Sequence, residues 1–262
     1  MANDAPRLLI EERRREILRL LEQQGRVTVI DLSKRFQVSA VTVRDDLEAL
    51  SDAGALVRSY GGAIRPLSPV QDFPLNFKKS IHQAEKSRIA AAAAALIQPH
   101  QTIILDSGST STLLAEQLKQ LNPEALTVIT HALDVAWVLA DSPGIAVIMI
   151  GGVLRHISHS FVGPQAERML QDMHADHFFL AVDGFDPEMG LSTPDILEAQ
   201  LNSQMIKVSR EVTVIADSSK FGRRSVSRIE EFRRVHRFIT DDRLPSSAAE
   251  ELRKAGIEVM VV

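Results

Sequence analysis

Along residues 7–24, Leu8, Ile10, Ile17, Leu18, Leu20 and Leu21 fall largely on one face of a helix, and Gly25 supplies its stop. A second, short helix is predicted from Thr28, whose hydroxyl suits an N-cap, through Ile30, Leu32 and Phe36. Gln37 and Val38 make a tight turn. Ser39 then caps a third helix in which Val41, Val43, Leu47 and Leu50 are the apolar positions and Gly54 the end. Residues 56–60 and 63–65 read as two short strands around the turn Gly61-Gly62. Pro66, Pro69 and Pro74 break any regular element and mark a linker.

The pattern then changes. A long helix is predicted from about Leu75, with an alanine run at 90–95 that allows close packing. Strand-length runs follow at 102–105, 126–130, 145–150, 177–182, 211–216, 235–240 and 257–261. Most are uninterrupted aliphatic runs separated by helical stretches, as in a mostly parallel sheet buried on both faces. The expected fold class is α/β, with a winged helix-turn-helix over 1–65, a linker over 66–74 and a mostly parallel α/β sheet domain over 75–262. Trp137 and the Met and Phe residues are expected in the core.

Composition narrows the classes of function. The chain has 262 residues, 45% hydrophobic and 24% charged, enough for a sizeable core. The absence of cysteine excludes disulfides and thiol chemistry and suits a reducing cytosol. No apolar run approaches the length needed to span a bilayer, and Asp4, Glu11 and Glu12 do not fit a signal sequence, so a cytoplasmic protein without a membrane partner is expected. The net charge of −4 argues against a bulk attraction to nucleic acid, and residues 1–65 carry only 11 basic against 10 acidic side chains. A DNA-binding role therefore has to rest on where particular charges point.

Three helices followed by a glycine-turned hairpin make a winged helix, which presents the N-terminal end of its third helix to a groove. Ser39, Ala40, Thr42 and Arg44 supply that end. Hydroxyls and helix-terminal amides suit phosphates, and an arginine reaches a base edge. Arg58, Tyr60, Gly61, Gly62 and Arg65 form or flank the wing, where a basic side chain could enter a minor groove. The alternative is a solvated helix face and an ordinary hairpin. Arg13, Ile17 and Leu21, followed by Ser39, Thr42, Val43, Arg44, Asp46 and Leu47, resemble the signature of the DeoR family of bacterial regulators. The run Arg58-Ser59-Tyr60-Gly61-Gly62-Ala63 resembles that family's wing. Asp45 departs from the pattern: a carboxylate there either reads a cytosine amino group or faces away from DNA. The resemblance implies double-stranded operator DNA as partner.

In the second half, Asp106-Ser107-Gly108-Ser109-Thr110-Ser111 follows a strand and opens a helix. That arrangement aims backbone N–H groups and hydroxyls at one point, a recipe for holding phosphate. Other strands also end in polar or glycine-rich residues: Thr130-His131, Gly151-Gly152, Asp183-Gly184, and Asp217-Ser218-Ser219-Lys220. Such ends converge on the ligand in an open α/β sheet. Lys220 and Arg155 would supply positive charge, and Asp106, Asp183 and Glu198 could bond sugar hydroxyls. This half resembles the DeoR sensor domain, related to ribose-5-phosphate isomerase, through 106–110, Gly151-Gly152, 158–163 and 216–221. The resemblance implies a phosphorylated sugar as effector, and among DeoR proteins the chain looks nearest to the amino-sugar repressors. His131 stands where the family commonly has Asn.

An enzyme is the competing reading. The isomerases need a carboxylate base and a Lys-Gly-Gly-Gly loop; Asp183, Asp186 and Glu198 echo the carboxylates, but Gly190-Leu191-Ser192-Thr193-Pro194 lacks the lysine and the triple glycine. No catalytic residue or cofactor is assigned. His156 with His159, and His174 with His177, have spacing suited to a helix face but no third ligand, so no metal is assigned and polar surface or crevice roles are expected. A DNA-binding protein whose second domain only oligomerises is a third reading. A homo-oligomer, dimer or tetramer, would match a repeated operator.

Overall fold

The computed structural model of the chain describes residues 8–52, 55–64 and 72–262. Compact packing divides it into two units, Met1–Ile81 and His82–Val262. The division falls later than the expected linker and moves residues 75–81 into the first unit.

In the first unit, α1 (Ile10–Gln24), β1 (Arg26–Thr28), α2 (Val29–Phe36) and α3 (Ala40–Asp52) precede the strands β2 (Val57–Ser59) and β3 (Gly62–Ile64). The caps are those the sequence indicates. Gly25 closes α1 in the left-handed region, and Thr28 accepts from Asp31 N at the start of α2. Ile17, Leu21, Leu32, Phe36, Val43, Leu47 and Leu56 form the core. Leu8 and Ile10 are exposed, because α1 begins at Ile10 rather than at residue 7 and its first turn precedes that core. The hairpin is a three-stranded sheet, order β1-β3-β2. Gly61 adopts φ 74°, and a Cβ on Gly62 would collide with the Val27 carbonyl of β1. The helix expected as one piece from Leu75 is two, α4 (Leu75–Ser80) and α5 (Gln83–Ala94), broken where His82 takes φ 51°. Phe73, Phe77 and Ile81 pack on the first unit's core. Gly54, Arg65 and the prolines at 66 and 69 lie outside the described residues.

The second unit continues as β4 (Thr102–Leu105), α6 (Ser109–Leu121), β5 (Leu126–Thr130), α7 (Leu133–Leu139), β6 (Ile145–Met149), β7 (Val153–Arg155), β8 (Ser160–Val162), α8 (Pro164–Leu170) and β9 (Ala175–Leu180). After these come β10 (Gly184–Asp186), β11 (Gly190–Thr193), α9 (Ile196–Val208), β12 (Ser209–Ile215), β13 (Ser227–Glu230), β14 (Arg237–Thr240), α10 (Ser246–Lys254) and β15 (Glu258–Val261). Seven strands form one sheet, β15-β14-β12-β9-β4-β5-β6, and every pairing in it is parallel. Two apolar clusters cover it, one around Phe178, Leu180, Val214 and Phe238 and one around Ile103, Leu105, Val128 and Phe179. Adjacent β9 residues serve opposite faces, as alternation along a strand requires.

Two small antiparallel pieces accompany the sheet, the β7–β8 hairpin and the set β10-β11-β13. Trp137 is 80% exposed, against the expectation of a core position. α7 turns Val135 and Leu139 inward, and Trp137 lies off that face. Met169 and Met189 are exposed too. No described helix is long and apolar enough to cross a membrane.

Candidate functional site

In the first unit α3 carries opposite duties on opposite faces. Asp46 is buried and pairs with Arg13 Nε at 2.5 Å and Arg14 Nε at 3.1 Å, so two signature residues clamp α1 to α3 and do not reach outward. Ser39 Oγ accepts from Thr42 N at 3.0 Å and meets Thr42 Oγ1 at 2.9 Å, an N-cap in which both hydroxyls are engaged. Ala40 and Thr42 are half-buried, whereas Ser39, Val41, Arg44 and Asp45 are exposed. Among the described residues no carboxylate pairs with Arg44. Val41, exposed beside it, was not singled out, since its spacing reads as core. On the hairpin, Tyr60 is fully exposed, while Arg58 Nε is 3.6 Å from Glu48 Oε2 of α3.

The second unit's geometry centres on β4 and β9. The chain runs from β4 to β5 and β6 on one side, and from β9 to β12, β14 and β15 on the other. The crossover direction therefore reverses between these two neighbours, the place where open α/β sheets hold ligands. Asp106, at the end of β4, sits at this point. Its Oδ1 accepts from Ser107 N (2.6 Å) and meets His131 Nε2 (2.9 Å); its Oδ2 accepts from Ala181 N (3.2 Å) and Asn202 Nδ2 (3.4 Å). Four contacts fill a carboxylate's capacity, so Asp106 fastens β4, β5, β9 and α9 together.

His131 is buried, with Nδ1 donating to the Phe161 carbonyl at 3.1 Å. Burial opposes charge on both members of the pair. It raises Asp106 above the usual carboxylate range, although His131 and the Ser107 N–H pull the other way. At His131, burial is outweighed by the Asp106 and Glu198 carboxylates, which hold the imidazole above its usual range.

A second group hangs from α9. Asp195 caps that helix by accepting from Leu197 N and Glu198 N. Glu198 Oε1 accepts from Ser160 Oγ at 2.7 Å, and Ser160 meets Ser158 at 2.8 Å. Arg155 bridges from the hairpin to Asp195 (3.0 Å), Ser158 (3.0 Å) and Glu198 (3.7 Å). Thr193 Oγ1 joins Glu198 (3.5 Å) to Asp183 (3.2 Å), and Asp183 lies 3.8 Å from Lys220 Nζ. Lys220 stands on a 3₁₀ turn, Ser218–Lys220, that Asp217 caps after β12. Burial raises the Asp217 carboxyl, but the positive charges of Lys220, Lys86 and His82 prevail and hold it at about 2.

Arg155, Glu198, Thr193, Asp183 and Lys220 thus form one chain of polar contacts, and Asp106 and His131 form a second group within the electrostatic reach of Glu198. Ser107 and Gly108 lead into α6, and Gly108 takes φ 128° with its Cβ position against Ala181. Ser109, Thr110 and Ser111 form the buried first turn of that helix. Ser111 Oγ, Asn202 Oδ1, Asp217 Oδ2 and Ser219 Oγ are buried without a hydrogen-bond partner among the described residues. Gly151 and Gly152 make no such link: Gly151 N meets Met169 Sδ, and Gly152 backs onto the Val162 carbonyl. Asn202 was missed by sequence reasoning. Its signal is a polar residue one helical turn beyond Glu198 on the buried face of α9.

The histidines divide differently from the expectation of surface or crevice positions. His177 is a core residue, stacked on Phe179 at 4.1 Å and bonded through Nε2 to Thr213 Oγ1 at 2.7 Å; burial lowers its pKa to about 4. His159 pairs with Asp134 at 2.7 Å, and His156 and His174 are exposed. The segment 190–193, compared above with the isomerase loop, is the buried strand β11.

Residues 13–68 match the DeoR-like helix-turn-helix domain, and residues 81–242 match the DeoR C-terminal sensor domain. The chain belongs to the DeoR family. It is 41% identical over 253 residues to a protein of Escherichia coli O157:H7 named, provisionally, as an aga operon transcriptional repressor, covering 96% of this chain and 93% of that one. The glycerol-3-phosphate regulon repressor of Escherichia coli K12 is 31% identical, covering 95% and 97%. The transcriptional repressor GlcR of Bacillus subtilis strain 168 is 33% identical, covering 96% of each chain. Among solved structures, ribose 5-phosphate isomerase A from Methanocaldococcus jannaschii is 15% identical with a TM-score of 0.39, over 54% of this chain and 55% of that one.

Proposed function

We propose that this DeoR-family chain is a transcriptional repressor of a sugar or amino-sugar operon, released from its operator by a phosphorylated sugar. One observation carries the effector half of this reading: at the β4/β9 reversal, where Asp106 leads into the N-terminal turn of α6, two cations, Lys220 and Arg155, are joined through Asp183, Thr193 and Glu198 in one polar network. A helix N-terminus with open amides beside cations is suited to a phosphate dianion. In this reading Asp183, Glu198 and Asp195 accept from ring hydroxyls, and Asp106 and His131 hold the frame. The names of the relatives, operon and regulon repressors, favour regulation over turnover.

For the DNA half, Arg44 reads a base edge or phosphate, with Ser39 and the α3 N-terminus on the backbone and Tyr60 and Arg58 on the wing. The wing glycines Gly61 and Gly62 shape the hairpin, and Arg65, just beyond it, is assigned to the same interface. The protein acts as a homo-oligomer on a repeated operator.

A gel-shift of the purified full chain on the DNA upstream of its own coding region, with a panel of sugar and amino-sugar phosphates, tests both halves. A specific shift that one compound reverses is expected. A shift indifferent to every compound would refute effector control, and turnover of any of them would favour an isomerase-like enzyme.

A further inference from the structure

We propose that the 3₁₀ turn bearing Lys220 and the loop after β14 relay occupancy of the strand-end site to α5, with Glu85, Lys86 and Arg243 as the positioning residues. The inference rests on the reading of that site as an effector site.

The links are continuous. Ser218, in the same turn as Lys220, donates its N–H and hydroxyl to Asp241 Oδ2 (2.6 Å) and Oδ1 (2.9 Å). The next two residues of that loop reach α5: Asp242 pairs with Arg88 at 3.2 Å, and Arg243 with Glu85 at 2.7 Å. Glu85 and Lys86 lie in the first turns of α5, and both are buried. A fully buried lysine is rare unless a charge answers it. The equally buried Asp217 interacts electrostatically with Lys86 and with Lys220.

An anion that engages Lys220 takes part of its field away from Asp217, which then leans more on Lys86. Paired buried charges have discrete arrangements, so the change is taken up as a shift of the turn and of the α5 end tied to it. Only Ile81 and His82 separate α5 from α4, and Phe77 and Ile81 pack on the first unit's core. A shift of the α5 end is therefore handed along the backbone to the DNA-reading unit.

The test compares operator affinity of the full chain, by fluorescence anisotropy, with and without saturating glucosamine 6-phosphate or glucose 6-phosphate. Calorimetric titration of the same compounds reports their binding. The native chain is expected to change operator affinity at least about tenfold with one of them, within the usual range of allosteric coupling. Lys86→Met and Arg243→Glu should bind that compound, and the operator without it, within about twofold of native, while the change falls below about threefold. Adding Glu85→Arg to Arg243→Glu should restore the response, and this charge-swapped pair carries the test if Lys86→Met does not fold. Full responses in Arg243→Glu and Lys86→Met would overturn the relay and leave the effector reading standing. A native chain that binds neither these two compounds nor any other sugar phosphate of the panel would overturn both.

Discussion

Arg44 and Asp46 stand two positions apart on α3 and have opposite tasks. Arg44 points to solvent without a carboxylate partner among the described residues, and Asp46 is buried against Arg13. Arg44→Ala should weaken operator binding by about 1–3 kcal/mol, the worth of a good base contact, with an unchanged melting temperature. Asp46→Ala should instead destabilise the first unit by about 3 kcal/mol or more, because it strands a buried arginine; urea denaturation measures it. His177 makes a pH prediction. Its folded pKa of about 4 lies below the unfolded 6.5, so its contribution is full above pH 6.5 and is lost as pH falls toward 4. Denaturation at pH 7.5 and pH 5 should differ by about 2 kcal/mol from this group, and His177→Gln should reduce the difference. An equal pH dependence in the variant would contradict that assignment.

At the scale of elements, the seven parallel strands were legible because a strand buried on both faces leaves an uninterrupted aliphatic run. So were the caps Gly25, Thr28 and Ser39, whose side chains or absence of one answer a local backbone need. Features set by distant partners were not. β1 is too short to show alternation and exists through its pairing with β3. The break between α4 and α5 falls at His82, with no glycine or proline to signal it. Trp137 reads as core by composition alone. The site behaved likewise: Lys220 and the 106–111 run were visible as strand ends, whereas Asn202 and Lys86 come into view only once α9 and α5 are laid on the sheet. Asp106 read as a sugar ligand, and its carboxylate is engaged by four groups of the protein itself. Gly62→Ala should lower stability by about 1–3 kcal/mol and reduce DNA affinity more than Gly61→Asn, because the backbone of β1 blocks its Cβ. Thermal melts and gel-shifts of the two variants decide this.

At the scale of the whole molecule, the near-neutral first unit and the net charge of −4 bear on salt dependence. Operator affinity should fall with salt in proportion to the few phosphates engaged, at about 0.9 log units of affinity per log unit of salt for each. Arg44→Ala should lower that slope only if it holds a phosphate. On the proposed function, operator and sugar phosphate bind in different units and must weaken each other by the same factor. Fluorescence anisotropy of the full chain on its operator, titrated with a sugar phosphate, measures that factor directly. The expected result is release of the DNA by one compound, with Ser109→Ala/Lys220→Ala binding DNA as before and failing to respond. An undiminished response in that double variant would contradict the strand-end site as the effector's seat.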